Sequence, residues 1–125
     1  MKGIVMKPEK DGRKFMRGDS KDKSLREITW LIDKELVGSD QFVAGLATFP
    51  PGMTAPLHVH PDAEEINIVL EGEGNLLTPD GAQPVTKGDF QFVPKGVGHS
   101  HENTGNEPFT IVWIYSPPTK SFPDS

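Results

Sequence analysis

The chain has no cysteine. That excludes a disulfide framework and every metal site built on thiolates, including iron–sulfur clusters and cysteine-type zinc sites. Long apolar runs are missing too. No window approaches the ~20 apolar residues that a membrane-spanning helix needs, and the apolar stretch within Met1–Pro8 is too short for a secretory leader. The expectation is a soluble, cytoplasmic protein with no membrane partner. Long amphipathic helical patterns, internal repeats and low-complexity tracts are likewise absent.

The 125 residues present fit one ordinary domain, large enough to bury a core without staples. Twelve prolines and thirteen glycines punctuate many short strand-like runs, the pattern of an all-β sandwich or barrel. The net charge of −5 is unevenly spread: residues 1–34 carry +4 and residues 35–125 carry −9. In the basic part, Glu9, Asp11, Asp19 and Asp22 interrupt the cations, which breaks any stripe that could follow a phosphate backbone. A solvated arm lying against an acidic barrel is expected, with no nucleic-acid binding.

Along the chain, residues 1–24 read as that arm, with a short strand at Gly3–Met6. Residues 25–118 read as the barrel and residues 119–125 as a tail. Ile28, Trp30 and Ile32 alternate with Glu27, Thr29 and Leu31 as a half-buried strand would. A turn at Gly38-Ser39-Asp40 precedes a second strand over Gln41–Phe49. Ile66–Leu70 and Asn75–Leu77 follow as strands, Thr78-Pro79-Asp80-Gly81 is a β-turn, and Val85–Val93 reads as a hairpin arm around Lys87-Gly88. The last strand is Phe109–Tyr115.

The chemistry is concentrated between Gly52 and Asn103. His58 and His60 are two apart, so on an extended strand they project to one face and can reach one ion. Pro61 and Asp62 favour a bend that brings Glu65 beside them. His99 follows Pro94-Lys95-Gly96-Val97-Gly98, a loop closing a strand. Three imidazoles and one carboxylate result. If Glu65 faces inward, so does Asn67, which either lines the cavity or is satisfied by a neighbouring strand. The outward row Leu57, Val59, Ile66, Ile68 and Leu70 then needs a cover: the N-terminal segment, a second copy, or both. A homodimer is expected.

At these positions the sequence resembles the cupin superfamily, whose first motif is G-x5-H-x-H-x(3,4)-E-x6-G and whose second is G-x5-P-x-G-x2-H-x3-N. Gly52, His58, His60, Glu65 and Gly72 match the first; Gly88, Pro94, Gly96, His99 and Asn103 match the second. The resemblance covers Gly52 to about Pro117. It implies a double-stranded β-helix, or jelly-roll, barrel. It also implies one divalent metal ion per chain (Fe, Mn, Ni, Co, Zn or Cu) on His58, His60, Glu65 and His99, with Asn103 bracing the loop. The spacing allows Glu64 as the carboxylate, although six residues between Glu65 and Gly72 favour Glu65.

An N3O ligand set leaves positions open on an ion that takes five or six ligands, a mark of catalysis rather than of a structural clip. The expected function is a metal enzyme for a small oxygenated metabolite, with dioxygenase-type chemistry ahead of isomerase or lyase chemistry. The alternative is a non-catalytic ligand-binding or metal-binding module, because family resemblance carries no reaction. His101 and Glu64 are candidate bases. His101 reads either as a group beside the site or as an exposed loop histidine. Trp113 and Tyr115 share a strand face and read either as a pocket wall or as plain core.

Overall fold

The structure is a computed structural model that describes residues 2–118. The tail at 119–125 lies outside the described residues. Two short helices, α1 (Pro8–Asp11) and α2 (Lys34–Val37), accompany nine strands. These are β1 (Arg13–Arg17), β2 (Arg26–Ile32), β3 (Val43–Phe49), β4 (Glu64–Glu71) and β5 (Glu73–Thr78), then β6 (Gly81–Thr86), β7 (Phe90–Val93), β8 (Ser100–Asn103) and β9 (Phe109–Ser116). No helix among the described residues is long and apolar enough to cross a membrane.

The strands form two antiparallel sheets, one ordered β1-β2-β3-β9-β4-β7 and the other β6-β5-β8. The result is the double-stranded β-helix barrel that the motifs implied. Strict alternation makes its inner wall: β3 and β9 pair over seven residues, from Val43 opposite Tyr115 to Phe49 opposite Phe109, and each buries every second side chain. Read across the large sheet, Ile28, Ala47, Ile111 and Val69 form one buried layer. The next layer holds Trp30, Gly45, Trp113 and Asn67. Gly45 is required there, because a Cβ would strike both the Thr29 carbonyl and the Trp113 ring. Across it the two indoles meet edge to face at 5.0 Å. The Trp30 Nε1–H donates to Asp33 Oδ2 at 2.7 Å, and Asp33 Oδ1 caps α2 by accepting from the Leu36 amide.

Three local expectations change. Gly3–Met6 forms no strand, and Ile4 and Val5 are exposed. The strand of this region is instead β1, paired with β2 from Arg13 opposite Trp30 to Arg17 opposite Arg26. Thr29 is buried rather than outward and wet, because the turn at Gly12 that follows α1 packs on it. Lys87-Gly88 is not a hairpin tip: β6 pairs with β5 while β7 pairs with β4, so this turn carries the chain from one sheet to the other. Gly88 takes φ +91 there, and its amide and the Asp89 carbonyl both bond Val69.

Candidate metal centre

Glu65 sits on the inner face of β4, where it is 5% exposed. Its Oε1 lies 3.1 Å from His99 Nε2 and 3.3 Å from His60 Nε2, and its Oε2 accepts from Asn67 Nδ2 at 2.9 Å. Asn67 is two residues along the same face, so strand periodicity alone aims its amide at the carboxylate. His60 and His99 are buried, whereas His58 is open to solvent.

Backbone pairing brings the two motif loops together. The His58 amide donates to the His99 carbonyl at 3.0 Å and the His99 amide donates to the His58 carbonyl at 2.9 Å. The Gly96 amide donates to the His60 carbonyl at 3.1 Å. Asn103 stitches the far end, donating from Nδ2 to the Phe49 and Glu107 carbonyls and accepting from the Gly105 amide. That is the bracing role expected of it.

The imidazoles are oriented by their outer nitrogens. His58 Nδ1 lies 3.3 Å from the Pro56 carbonyl and His99 Nδ1 lies 3.2 Å from the Val97 carbonyl. A carbonyl only accepts, so each Nδ1 carries the proton and each Nε2 is the inward donor atom for a metal. His60 is held by stacking on Tyr115, ring centres 4.5 Å apart.

Electrostatics follow from this packing. Burial pushes the Glu65 pKa up, but hydrogen bonds from His60, His99 and Asn67 outweigh it and hold the carboxyl well below the usual range. Burial opposes charge on His99, yet its hydrogen bond to Glu65 and that carboxylate's charge raise its pKa. An ion binding here therefore competes with the His99 proton. Although His58 has an exposed edge, packing of its ring against His60 and His99 removes water from it. That burial, followed by the charge of His99, pulls its pKa below the ordinary imidazole value.

One donor atom from each of His58, His60, Glu65 and His99 lies within 4.8 Å of every other. Around one ion with bonds of ~2.0–2.2 Å, opposed ligand atoms stand about 4 Å apart. The cluster therefore fits a divalent ion after tightening by under about an ångström, and its nitrogen and carboxylate donors suit one.

A cavity of about 230 Å³ opens beside the cluster. Trp113 and Tyr115 line it while also belonging to the buried core. Among the described residues, Trp113 Nε1 and Tyr115 Oη have no hydrogen-bond partner. Asn67 is fully buried behind Glu65 and does not line the cavity. Glu64 projects from the opposite face of β4 and is exposed, apart from the cluster. His101 is not an exposed loop residue: β8 places it in the cavity wall at 3% exposure, with Nε2 2.6 Å from Gln91 Oε1. The amide oxygen only accepts, so Nε2 carries a proton, and burial pulls the His101 pKa down to about 4.

Sequence reasoning missed Arg17, Arg26 and Gln91. Arg17 and Arg26 line the cavity. A signal was there, because Arg26 stands two residues before the inward Ile28 and Arg17 two after Phe15.

Comparison with known proteins agrees with this geometry. Among curated proteins, gentisate 1,2-dioxygenase of a Ralstonia species is 36% identical over 83 residues, covering 65% of this chain and 22% of that enzyme. Nectarin-1 of Nicotiana plumbaginifolia is 29% identical over 116 residues, covering 85% of this chain and 51% of that protein. The chain thus spans well under two thirds of the length of these relatives. Among solved structures, a predicted oxalate decarboxylase of Thermotoga maritima superposes with a TM-score of 0.75 at 25% identity, covering 92% of this chain and 100% of that one. A sugar phosphate isomerase of Silicibacter pomeroyi gives 0.65 at 28% identity, covering 74% and 60%. A family model described as a cupin domain matches residues 45–115, more than half of the sequence. By that match, and by the histidine–glutamate cluster inside a jelly-roll barrel, the chain belongs to the cupin domain family.

Proposed function

We propose that this protein is a metal-dependent enzyme acting on a small oxygenated metabolite, such as a diketone, enediol, hydroxy-acid or sugar derivative. One divalent ion per chain (Fe, Mn, Ni, Co, Zn or Cu) would be held by His58, His60, Glu65 and His99. The observation that carries this reading is the convergence of these four side chains, each with a donor atom within 4.8 Å of the others, beside a cavity rather than inside packed core. Such an ion supplies a Lewis acid to a coordinated oxygen and, where it is redox-active, access to O2 chemistry.

The protein's own groups narrow the reaction. Asn67 fixes the Glu65 carboxylate, and Tyr115 fixes the His60 ring. Isomerisation by proton transfer wants a base with a pKa near the working pH, placed on the substrate. His101, the unallocated imidazole of the cavity, stands at about 4 with one nitrogen committed to Gln91, and Glu64 lies outside. Dioxygenase-type chemistry, which leans less on such a base, therefore stands ahead of isomerase or lyase chemistry. The same scarcity supports a second reading, a non-catalytic binding module. We also propose a homodimer, in which a second copy covers the exposed apolar face around Ile66 and Phe92.

The deciding experiment loads the protein with Fe(II), Mn(II), Ni(II) or Zn(II) and screens diketones, catechols, hydroxy-acids and sugar phosphates with and without O2. Turnover abolished by Glu65→Gln or His99→Ala supports the enzyme. Ligand-induced thermal shifts without turnover under every metal reject it in favour of the binder.

A further inference from the structure

Arg17 and Arg26 are direct cross-strand partners of β1 and β2, and both line the cavity that contains the histidine–glutamate cluster. Like charges opposite one another on neighbouring strands are destabilising, the more so where water is limited. Arg26 shows that cost: burial first, then the charge of Arg17, lower its pKa, and Asp22 only partly offsets them. Both guanidiniums are also positioned. Arg26 Nη1 donates to the Ser24 carbonyl at 2.8 Å, and the Arg17 guanidinium carbon stands 5.3 Å from the Phe15 ring centre.

The rest of the wall has the same bias. Among the described residues Glu65 is the only carboxylate lining the cavity. The other polar side chains of the lining are the two arginines, the histidines, Trp113 and Tyr115, although the Trp113 Nε1–H and Tyr115 Oη–H are themselves buried in the wall, without partners among the described residues. Ile28, Ala47 and Ile111 also line it. A wall rich in donors, with apolar side chains among them, suits a ligand rich in acceptors with a short carbon body. The volume of about 230 Å³ lies below the ~300–1,000 Å³ of pockets for drug-sized ligands, so that ligand is small.

We propose that Arg17 and Arg26 form an anion seat in this cavity, holding the carboxylate or phosphate head of a small metabolite whose other, oxygen-bearing end meets the cluster. Two planar guanidinium forks can share one such head through paired N–H···O bonds and relieve their mutual repulsion. This deepens the metal-enzyme reading and rests on it for what meets the cluster; the seat itself depends only on the two arginines.

The test is calorimetric titration of metal-stripped and metal-loaded protein with malonate and glycolate as carboxylate probes, phosphoglycolate as the phosphate probe, and malonamide as the uncharged control. Saturable binding of at least one anion, none of malonamide, and at least about a tenfold loss of affinity in Arg17→Gln and in Arg26→Gln are expected. The conservative Arg17→Lys and Arg26→Lys proteins should lose less, since they keep the charge and forfeit the fork. Circular dichroism and melting confirm that each variant is folded. The stronger probe arm identifies the head group. No saturable binding of any anion to the wild type at millimolar concentration overturns the proposal, as does equal affinity in folded Gln variants or equal binding of malonamide. Elemental analysis separates the two readings. Arginine-dependent anion binding to a protein that never takes up metal sinks the metal enzyme alone. Normal metal uptake with arginine-independent anion binding sinks the seat alone.

Discussion

The two faces of β4 reverse the usual rule for a sheet. Inward stand Glu65 and Asn67, 5% and 0% exposed; outward stand Ile66 and Leu70, 42% and 41% exposed. Strand β7 repeats the pattern, with Gln91 buried and Phe90 and Phe92 exposed at 75% and 57%. The buried polar face is tolerable because partners are built in: Glu65 has His60, His99 and Asn67, and Gln91 Oε1 has His101. Among the described residues the apolar face is left open, and its contiguity across β4 and β7 is what a second copy would cover. One strand thus separates a face whose carboxylate finds its partners within the chain from an apolar face left open.

That contrast can be broken most strongly from inside. His60→Ala and His99→Ala each remove a donor atom, and Glu65→Gln removes the carboxylate charge. Bound metal should drop by more than the 10–100-fold typical of outer-shell changes, as read by elemental analysis and metal titration. In the wild type the same titration should weaken as pH falls through the raised pKa of His99, whose proton the ion must displace.

Next comes His101. Its pKa is about 4 in the folded chain against 6.5 for the free group, so between these values the unfolded chain binds a proton that the folded chain refuses. Its contribution is full above pH 6.5 and is lost as pH falls toward 4, by roughly 3 kcal/mol in all. The raised His99 has the opposite sign: its contribution is present below 6.5 and lost as pH climbs through its folded value. Denaturant melts of metal-stripped wild type and His101→Gln, compared across pH 4–7, isolate the first effect. Parallel curves would refute it.

Asn67→Ala should act more mildly, releasing Glu65 Oε2, raising that carboxyl's pKa and costing about tenfold in metal affinity. Smallest at the site, and largest at the other face, is Ile66→Ser with Phe92→Ser. Light scattering should show dimer becoming monomer while metal content stays put, and a wild type that is already monomeric at micromolar concentration would reject the seam.

The histidine–glutamate cluster was legible because each member sits at a fixed offset from a Gly or Pro that shapes its loop, so local spacing carried it. The inner and outer rows of β4 were legible from period two. What was not legible depended on pairing between distant segments. Arg17 reaches the cavity only because β1 finds β2, and the charges around it looked like a solvated arm. His101 is buried because β7 supplies Gln91, ten residues upstream and in the other sheet. Lys87-Gly88 reads locally as a hairpin tip, and only the registers of β6 and β7 reveal a crossing between sheets.

The reciprocal bridge between His58 and His99 also bears on how fast an ion would exchange. Three of the four donors are buried and His58 alone is exposed, so His58 is the edge of the cluster that can open without disturbing the barrel wall. Only two backbone hydrogen bonds tether His58 to His99 there, worth together about 1–3 kcal/mol, far less than unfolding the barrel. Residence time is then set by the unzipping of this short clip. It should track amide hydrogen exchange at His58 and His99 rather than exchange in the paired interior of β3 and β9.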